Sequence, residues 1–458
     1  MRSWFLLAVL GSSLACGKLK SSDDAGVGDG SVDSREDVPL PIDAILPVDG
    51  SCLGLSKVAP GICVCQGESL PDICHNPCFD QPGTNGCPLV ELYPYLCADL
   101  RSDPDHCGAC ANVCGPSSVC RDGACTPSPT PFLAAPVAGC AGLVLAAGGG
   151  SLFWTDAQHG TVMRAPASGG APVTLASGQD GPTELGLFGD SLYWLNRKAS
   201  RALMKVAAAG GTPTVVATSP ATTTPSLTPG IQGFVIGADG TAYFSSDSTV
   251  YALAPAGGSP SPVVQFHGAQ LSSLALDGTT LVMPDVLAGR IYATPVADGT
   301  LIACGIQPDG QYPCLLTISH GILPSPIFAE AGRAYWVSGV AASLESVSDT
   351  PPGQQPKTSI YSGDIKTFTL QGATAFLAVD DVTISDGAII TIIEAPLVER
   401  ATGAPLAREP PLGPQPNGSI ASKTVTSIAV DDANVFWSTL QYDATNNGGI
   451  CSLNTIRR

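Results

Sequence analysis

Ser151-Leu152-Phe153-Trp154, Ser191-Leu192-Tyr193-Trp194, Arg333-Ala334-Tyr335-Trp336 and Asn434-Val435-Phe436-Trp437 hold four of the five tryptophans of this chain. The fifth, Trp4, lies in a stretch that reads as a removable signal. Before each of the four comes a small-apolar run and then a Gly or Asp turn. Short apolar runs bounded by turn residues are strand signals, so each unit reads as strand, turn, aromatic strand.

A unit of about 40–50 residues built from short strands is the sequence mark of a β-propeller. Seven openings recur from about residue 131: Gly142–Leu145, Leu185–Phe188, Gly233–Ile236, Ser273–Leu276, Pro326–Ala329, Phe376–Val379 and Ser427–Val430. Tyr243-Phe244 and Val282-Met283 continue the aromatic pattern loosely, and the unit near Asp380–Asp386 lacks its aromatic. A further strand follows in three units, at Val162–Pro166, Leu203–Val206 and Val250–Leu253. Each leads into Gly-Gly-x-Pro (Gly169–Pro172, Gly210–Pro213, Gly257–Pro260). Paired glycines supply positive φ for a hairpin, and Pro then opens an edge strand where no ladder donor is lost. The last unit stops before an outer strand, which Pro131-Phe132-Leu133-Ala134 could supply by closing the ring.

The stretch LFWTDAQHGTVMRAPASGG (Leu152–Gly170) resembles a blade of the YWTD-type propellers of lipoprotein receptors and the related NHL-like bacterial propellers. Leu192–Gly211 is a weaker copy, with Leu195-Asn196 in place of Thr155-Asp156. The resemblance implies an all-β propeller, six blades where the openings count seven, and a turn-orienting role for Asp156. Trp154, Trp194, Trp336 and Trp437 are the repeat signature.

The chain has 458 residues, 52 of them Gly and 40 Pro, with 13% charged residues and a net charge of −18. Many turn formers and few charges suit short strands and tight loops. The negative balance excludes a nucleic-acid partner, which needs clustered Lys and Arg. Ala134–Trp154 is a 21-residue run without a charge, long enough for a span. Its Pro and glycines make a poor helix, so it reads as strand, turn, strand.

Residues 1–15 carry Arg2, the apolar run Phe5–Leu10 and small residues before Cys16, which is the pattern of an export signal. The Leu14-Ala15-Cys16-Gly17 end resembles a bacterial lipobox. That resemblance implies lipid on Cys16, a membrane anchor and an outer-membrane destination; secretion into the medium is the alternative. Residues 16–51 are acidic and poor in aromatics, and read as a flexible tether.

Of 17 cysteines, twelve fall from Cys52 to Cys125. In an exported chain such density reads as a disulfide framework, giving a Cys-rich module over 52–126. The rival is zinc at Cys107, Cys110 and Cys114 with His106, whose spacing is ligand-like. The segment Asp103–Cys125 resembles a Cys-rich module of exported myxobacterial lipoproteins, which implies surface exposure. A short linker, Thr126–Thr130, precedes the propeller, taken as 127–458. Cys304 and Cys314 flank a polar loop and could staple it. Cys140 and Cys451 lie at the two ends of the repeats and become neighbours if the ring closes.

No nucleophile, phosphate-loop, zinc-protease or dinucleotide motif is present. Five scattered histidines, His75, His106, His159, His267 and His320, form no ligand pair, and His159 reads as a solvated turn residue. Asp380-Asp381 and Asp431-Asp432 read as turn residues at matching repeat positions, or as a carboxylate set around one mouth. Gly305–Pro324, Val340–Thr358 and Leu397–Lys423 read as insertions able to carry a binding surface. The expectation is a monomeric, noncatalytic propeller with no cofactor, binding a protein, peptide or glycan at the cell surface. The alternatives are a propeller lyase or hydrolase with its site at the central mouth, and a structural envelope component.

Overall fold

The computed structural model describes residues 107–109, 112–115, 118–121, 123–127, 129–199, 201–219, 230–266, 269–296, 300–304, 314–318, 326–338, 343–349, 356–383, 387–409, 423–442 and 449–458, and the backbone of three short strands at 63–65, 84–87 and 95–99. Cys16, the tether and most of the Cys-rich module lie outside the described residues, as do His75, His106, His267 and His320.

Seven antiparallel sheets make up the repeat region, each a blade read from inner to outer strand. Blade 1 comprises Leu143–Gly148, Ser151–Asp156, Thr161–Pro166 and Val173–Ala176. Blade 2 comprises Pro182–Phe188, Ser191–Asn196, Ala202–Ala207 and Thr214–Thr218; blade 3, Ile231–Ile236, Ala242–Ser246, Thr249–Leu253 and Ser261–Gln265. Blade 4 comprises Ala275–Asp277, Thr280–Asp285, Arg290–Pro295 and Leu315–Ile318; blade 5, Phe328–Glu330, Arg333–Ser338, Ser343–Ser348 and Thr358–Ser362. Blade 6 comprises Ile365–Gln371, Thr374–Thr383, Gly387–Pro396 and Ala404–Glu409. Blade 7 takes Lys423–Val430, Asn434–Tyr442 and Gly449–Arg457 from the C-terminal end of the chain. The seven-blade count, and not six, is the observed one.

The second strands explain the tryptophans. Successive side chains of a strand point to opposite faces, so two adjacent residues of one blade reach its two neighbours. Trp154, Trp194, Phe244, Met283, Trp336, Leu377 and Trp437 each pack with the preceding blade. Phe153, Tyr193, Tyr243, Val282, Tyr335, Phe376 and Phe436, one residue earlier, each pack with the following blade. Seven separate apolar cores result, one in each gap between blades, closing with blade 7 on blade 1. All four tryptophans are buried. Where the wedge is not Trp it is another large apolar group, which is why the pattern fades at Met283 and Leu377.

Ring closure joins the two ends of the repeat region. Thr130–Pro131 pairs with Asn454 and Thr455, Phe132 N donates to Leu453 O (2.7 Å), and Val137–Cys140 pairs with Gly449–Cys451. The outer strand of blade 7 is thus N-terminal, split where residues 133–136 bulge away. Cys140 and Cys451 are bonded across this seam, 311 residues apart in sequence. The phenyl ring of Phe132 meets that of Phe436 edge-on at 5.4 Å.

Three expectations need correction. Phe376–Val379 is not an opening: it belongs to the second strand of blade 6, whose inner strand is Ile365–Gln371. Lys366, Thr367, Thr369 and Gln371 make that inner strand too polar for the small-apolar pattern, and Phe376 supplies the aromatic the unit was thought to lack. Asp380-Asp381 therefore lies within a strand while Asp431 sits in a turn, so the two acidic pairs are not equivalent. Each supposed insertion contains a blade strand: Leu315–Ile318, Ser343–Ser348 and Ala404–Glu409. Ser343–Ser348 reads SLESVS, and its buried Ser343, Glu345 and Ser346, which sit beside the core residues Leu344 and Val347, make a hydropathy reading assign it to loop.

The connection before Leu315 also has a structural use. Ile302–Ala303 adds a parallel fifth strand to the outer edge of blade 3, with Cys304 N donating to Gln265 O (2.8 Å), and Cys304 is bonded to Cys314 just before blade 4 resumes. In the Cys-rich segment, Cys107 is bonded to Cys120 and Cys114 to Cys125. Two of the three cysteines of the zinc spacing are consumed in this way. The Ser118–Pro127 hairpin, which takes in part of the supposed linker, lies against the outer strand of blade 6.

Among the described residues no helix is long and apolar enough to cross a membrane. Ala134–Trp154 forms Val137–Cys140, Leu143–Gly148 and most of Ser151–Asp156.

Candidate functional site

The seven inner strands enclose a central channel of about 970 Å³ to which every blade contributes. Inner strands begin at one mouth and end at the other. Thr426, near the start of inner strand 7, donates to Leu143 O at the start of inner strand 1 (3.1 Å). At the opposite end Gln371 Nε2 donates to Asp432 Oδ1 (3.1 Å), joining the ends of inner strands 6 and 7.

The entry mouth is shaped by β-bulges. The ladder between inner and second strands slips by one residue at Glu184 in blade 2, Gln232 in blade 3, Lys366 in blade 6 and Thr426 in blade 7. Blade 4 slips as well: Ala275 faces Val282 but Leu271 faces Asp285, which leaves one residue over around Ser272. A bulge unpairs a residue and re-aims its side chain. All five bulged residues are polar. They make a ring of carboxylate, amide, hydroxyl and ammonium groups where the inner strands begin, and Glu184, Gln232, Ser272 and Thr426 line the channel.

The charged groups of this ring are engaged with one another. Arg197 is ion-paired with Glu184, and its guanidinium also donates to the Gln232 side chain (3.0 Å), the Gln232 carbonyl and Thr183 Oγ1 (3.2 Å). Glu184 holds a left-handed backbone at φ 39°, a conformation costing a non-glycine residue about 1–2 kcal/mol. Burial pushes the Glu184 carboxyl above its ordinary value, and the charge and hydrogen bond of Arg197 oppose that rise without cancelling it. Lys366 Nζ lies 2.9 Å from Asp364 Oδ1 and 3.3 Å from Asp380 Oδ2. Burial alone would lower the Lys366 ammonium, but the two carboxylates outweigh it and hold the pKa above its ordinary value. Ser272 Oγ is buried with no hydrogen-bond partner.

Beyond the ring the channel wall is mixed, with the partly buried Leu187, Phe234, Phe328 and Leu370 beside Ser273, Thr369 and Gln371. The exit mouth is acidic. Gly332 N donates to Asp277 Oδ2 (2.5 Å), tying the inner-strand ends of blades 4 and 5. Burial raises the carboxyl of Asp349, with the Asp277 charge and hydrogen bond adding to the rise; burial and then Asp277 raise Glu330 likewise.

The residues singled out from the sequence sit elsewhere. Asp156 accepts from Gln158 N (3.0 Å) and His159 N (3.1 Å), and its second oxygen meets His159 Nδ1 at 2.6 Å. Asp285 orders the equivalent turn of blade 4 through Leu287 N and Ala288 N (both 3.2 Å). His159 is thus tied to Asp156 rather than simply solvated. Trp194 Nε1 donates to Asn196 Oδ1 and Gln179 Oε1 (both 3.2 Å), and Trp437 Nε1 to Glu409. Glu409, almost fully buried, also takes Asn454 Nδ2 (2.6 Å) and is ion-paired with Lys423. None of these predicted positions lines the channel.

The mouth residues Glu184, Arg197, Gln232 and Ser272 were missed. For Glu184, Gln232 and Ser272 the one sequence signal is a polar residue just before an apolar opening, as in Thr183-Glu184-Leu185 and Gln232-Gly233-Phe234, whereas Arg197, just after a second strand, carries none. Alternation alone gives such a residue to the strand face and hides the slip.

No protein-family model matches the chain, and no curated protein matches it. Among solved structures, virginiamycin B lyase from Staphylococcus aureus is similar at 12% identity with a TM-score of 0.43, covering 69% of this chain and 95% of that one. The nidogen/laminin complex is similar at 17% identity and TM-score 0.32, over 45% of this chain and 74% of that one. A computationally designed protein, Ika8, is similar at 14% identity and TM-score 0.39, over 70% and 98%.

Proposed function

We propose that the chain is an exported, noncatalytic propeller that binds a protein, peptide or glycan at the bulge-lined mouth of its channel, held at the outer membrane by lipid on Cys16. The observation that carries this reading is the ring itself. Five blades place a polar residue out of register at one level, and the charged members are already paired with protein groups. A general acid or base needs a proton-donating or proton-accepting atom within reach of substrate, whereas Arg197 and Glu184 hold each other. A polar rim over a cavity whose wall mixes apolar and hydrogen-bonding side chains is the form of a recognition site. The disulfide-rich segment and the acidic tether act as spacer between anchor and ring.

Screening the purified mature chain against a glycan array and a displayed random-peptide library tests the reading. A ligand whose binding weakens at least about tenfold in Gln232→Ala is expected. Absence of any ligand from both libraries, or ligands indifferent to Gln232, would overturn it. The anchor is tested separately by palmitate labelling, which should be lost in Cys16→Ser.

A further inference from the structure

We propose that the Thr183–Glu184 peptide of inner strand 2 is a two-position switch in the channel mouth. Arg197 holds it in the strained position it occupies here. Release of Arg197 lets the peptide turn over, so that the Thr183 carbonyl accepts from the Thr155 hydroxyl. The switch needs no ligand and stands apart from the binding reading above.

Backbone strain is the first observation. Among the described residues five non-glycines have positive φ: Glu184, Arg201, Asp247, Ala331 and Arg400. The last four fall between strands, whereas Glu184 lies within one, at φ 39°. An L-residue is disfavoured there because its Cβ crowds the backbone, and such strain persists only where the surroundings enforce it.

The second observation is a buried hydroxyl on the neighbouring blade. Three second strands carry a hydroxyl residue directly after the wedge: Thr155, Ser245 and Ser438. Each points to the following blade, like the residue before the wedge. Ser438 Oγ donates to Leu143 O in blade 1 (2.9 Å), and Ser245 Oγ donates to Ser272 O at the start of blade 4 (3.3 Å). Both acceptors stand two residues before the one beside the next wedge, Leu145 beside Trp154 and Leu274 beside Met283. In blade 2 Leu185 lies beside Trp194, so the acceptor due to Thr155 is the Thr183 carbonyl. Yet Thr155 is 1% exposed and its hydroxyl has no partner.

One rotation accounts for both. The ψ of Thr183 and the φ of Glu184 together aim the peptide between them, and with it the Thr183 carbonyl. In blade 4 the corresponding Ser273 is not left-handed, and the carbonyl before it does accept from the preceding blade. In blade 2 Glu184 is left-handed and the hydroxyl is unpaired. Opposite changes in these two angles turn the peptide over with little displacement of the flanking chain, and relieve both defects.

Arg197 supplies the restraint. Its guanidinium is ion-paired with Glu184 and donates to Thr183 Oγ1 (3.2 Å), gripping the side chains on both sides of the peptide. It is anchored in turn on blade 3, through the side chain (3.0 Å) and the carbonyl of Gln232. A group that draws Arg197 aside at the mouth therefore moves a carbonyl in the gap between blades 1 and 2.

The test uses crystal structures and urea midpoints of the full mature chain, of Arg197→Ala and of Glu184→Ala, each with and without Thr155→Val. Both release variants should show a negative φ at position 184, with Thr155 Oγ within about 3.2 Å of Thr183 O. Thr155→Val replaces the hydroxyl by a methyl. In the wild-type background it removes an unpaired buried group, so the midpoint should stay or rise. In the release variants it removes a hydrogen bond, so the midpoint should fall, by about two- to tenfold in the folding constant. A position 184 still left-handed in either variant that folds would overturn the proposal. So would a Thr155→Val shift that is the same in all three backgrounds.

Discussion

A single side chain at one recurrent position sets how the blades meet. Trp154, Trp194, Trp336 and Trp437 are each buried in the gap to the preceding blade, and the residue before each fills the gap on the other side. Removing such a wedge leaves a cavity that rigid sheets cannot close. Trp194→Ala is expected to destabilise the ring by about 3–5 kcal/mol, read from urea denaturation. Loss below about 1 kcal/mol would mean that the gap collapses. Trp437 adds a polar consequence, because its indole N–H and Lys423 both satisfy Glu409, which is nearly inaccessible. Glu409→Ala strands the ammonium and leaves the indole N–H unpaired. A loss of about 3–5 kcal/mol is expected, and the isosteric Glu409→Gln should lose less because it keeps acceptors for Trp437 and Asn454. Equal losses for the two variants would remove the hydrogen bonds from the account.

At the level of elements, the closing strand carries the ring. A propeller whose last blade borrows its outer strand from the N-terminal side has one seam, and here Cys140–Cys451 bonds it. The bridge links residues 311 apart, so on chain-entropy grounds it constrains the unfolded state more than a short-loop bridge would. Cys140→Ser with Cys451→Ser is expected to lose about 2–5 kcal/mol and to make the segment before Leu143 sensitive to protease. A double variant with the wild-type midpoint and protease pattern would show that strand pairing alone suffices. Cys304–Cys314 closes only a short loop and ties the end of the strand added to blade 3 to the start of blade 4's outer strand, so its removal should loosen that edge while leaving the seam intact.

Taken as a whole, the ring places paired charges at one mouth and crowded carboxyls at the other. That asymmetry has a pH consequence. Burial and Asp277 raise the Asp349 carboxyl above its ordinary value. A raised folded-state pKa contributes stability that is full below the unfolded value, about 4, and is lost as pH rises through the folded value. The urea midpoint should therefore carry a component that falls over that window, and Asp349→Asn should remove it. An unchanged pH profile in Asp349→Asn would show that Asp349 does not titrate above its ordinary value in the folded protein. Much of this architecture was legible in the chain: six of the seven openings overlap inner strands and start no more than two residues before them, and three Gly-Gly-x-Pro stretches lead into outer strands at Val173, Thr214 and Ser261. Blade 6 was misread by one strand because Lys366, Thr367 and Thr369 break its apolar pattern.

The amino-acid sequence by itself determined the all-β repeat, the positions of its aromatic wedges and the cysteines at the two ends of the repeats. These depend on local rules, the period of two in a strand and the need for Gly at positive φ, which act within a few residues. Only the tertiary structure decided between six and seven blades, which strand of blade 6 is innermost, and that the tryptophans fill the gaps between blades. The same holds for the mouth, which is built from Glu184, Arg197, Gln232, Ser272 and Lys366. A one-residue slip in strand pairing is a relation between two strands, and a channel is a relation among seven. Neither leaves a periodic trace in the order of residues.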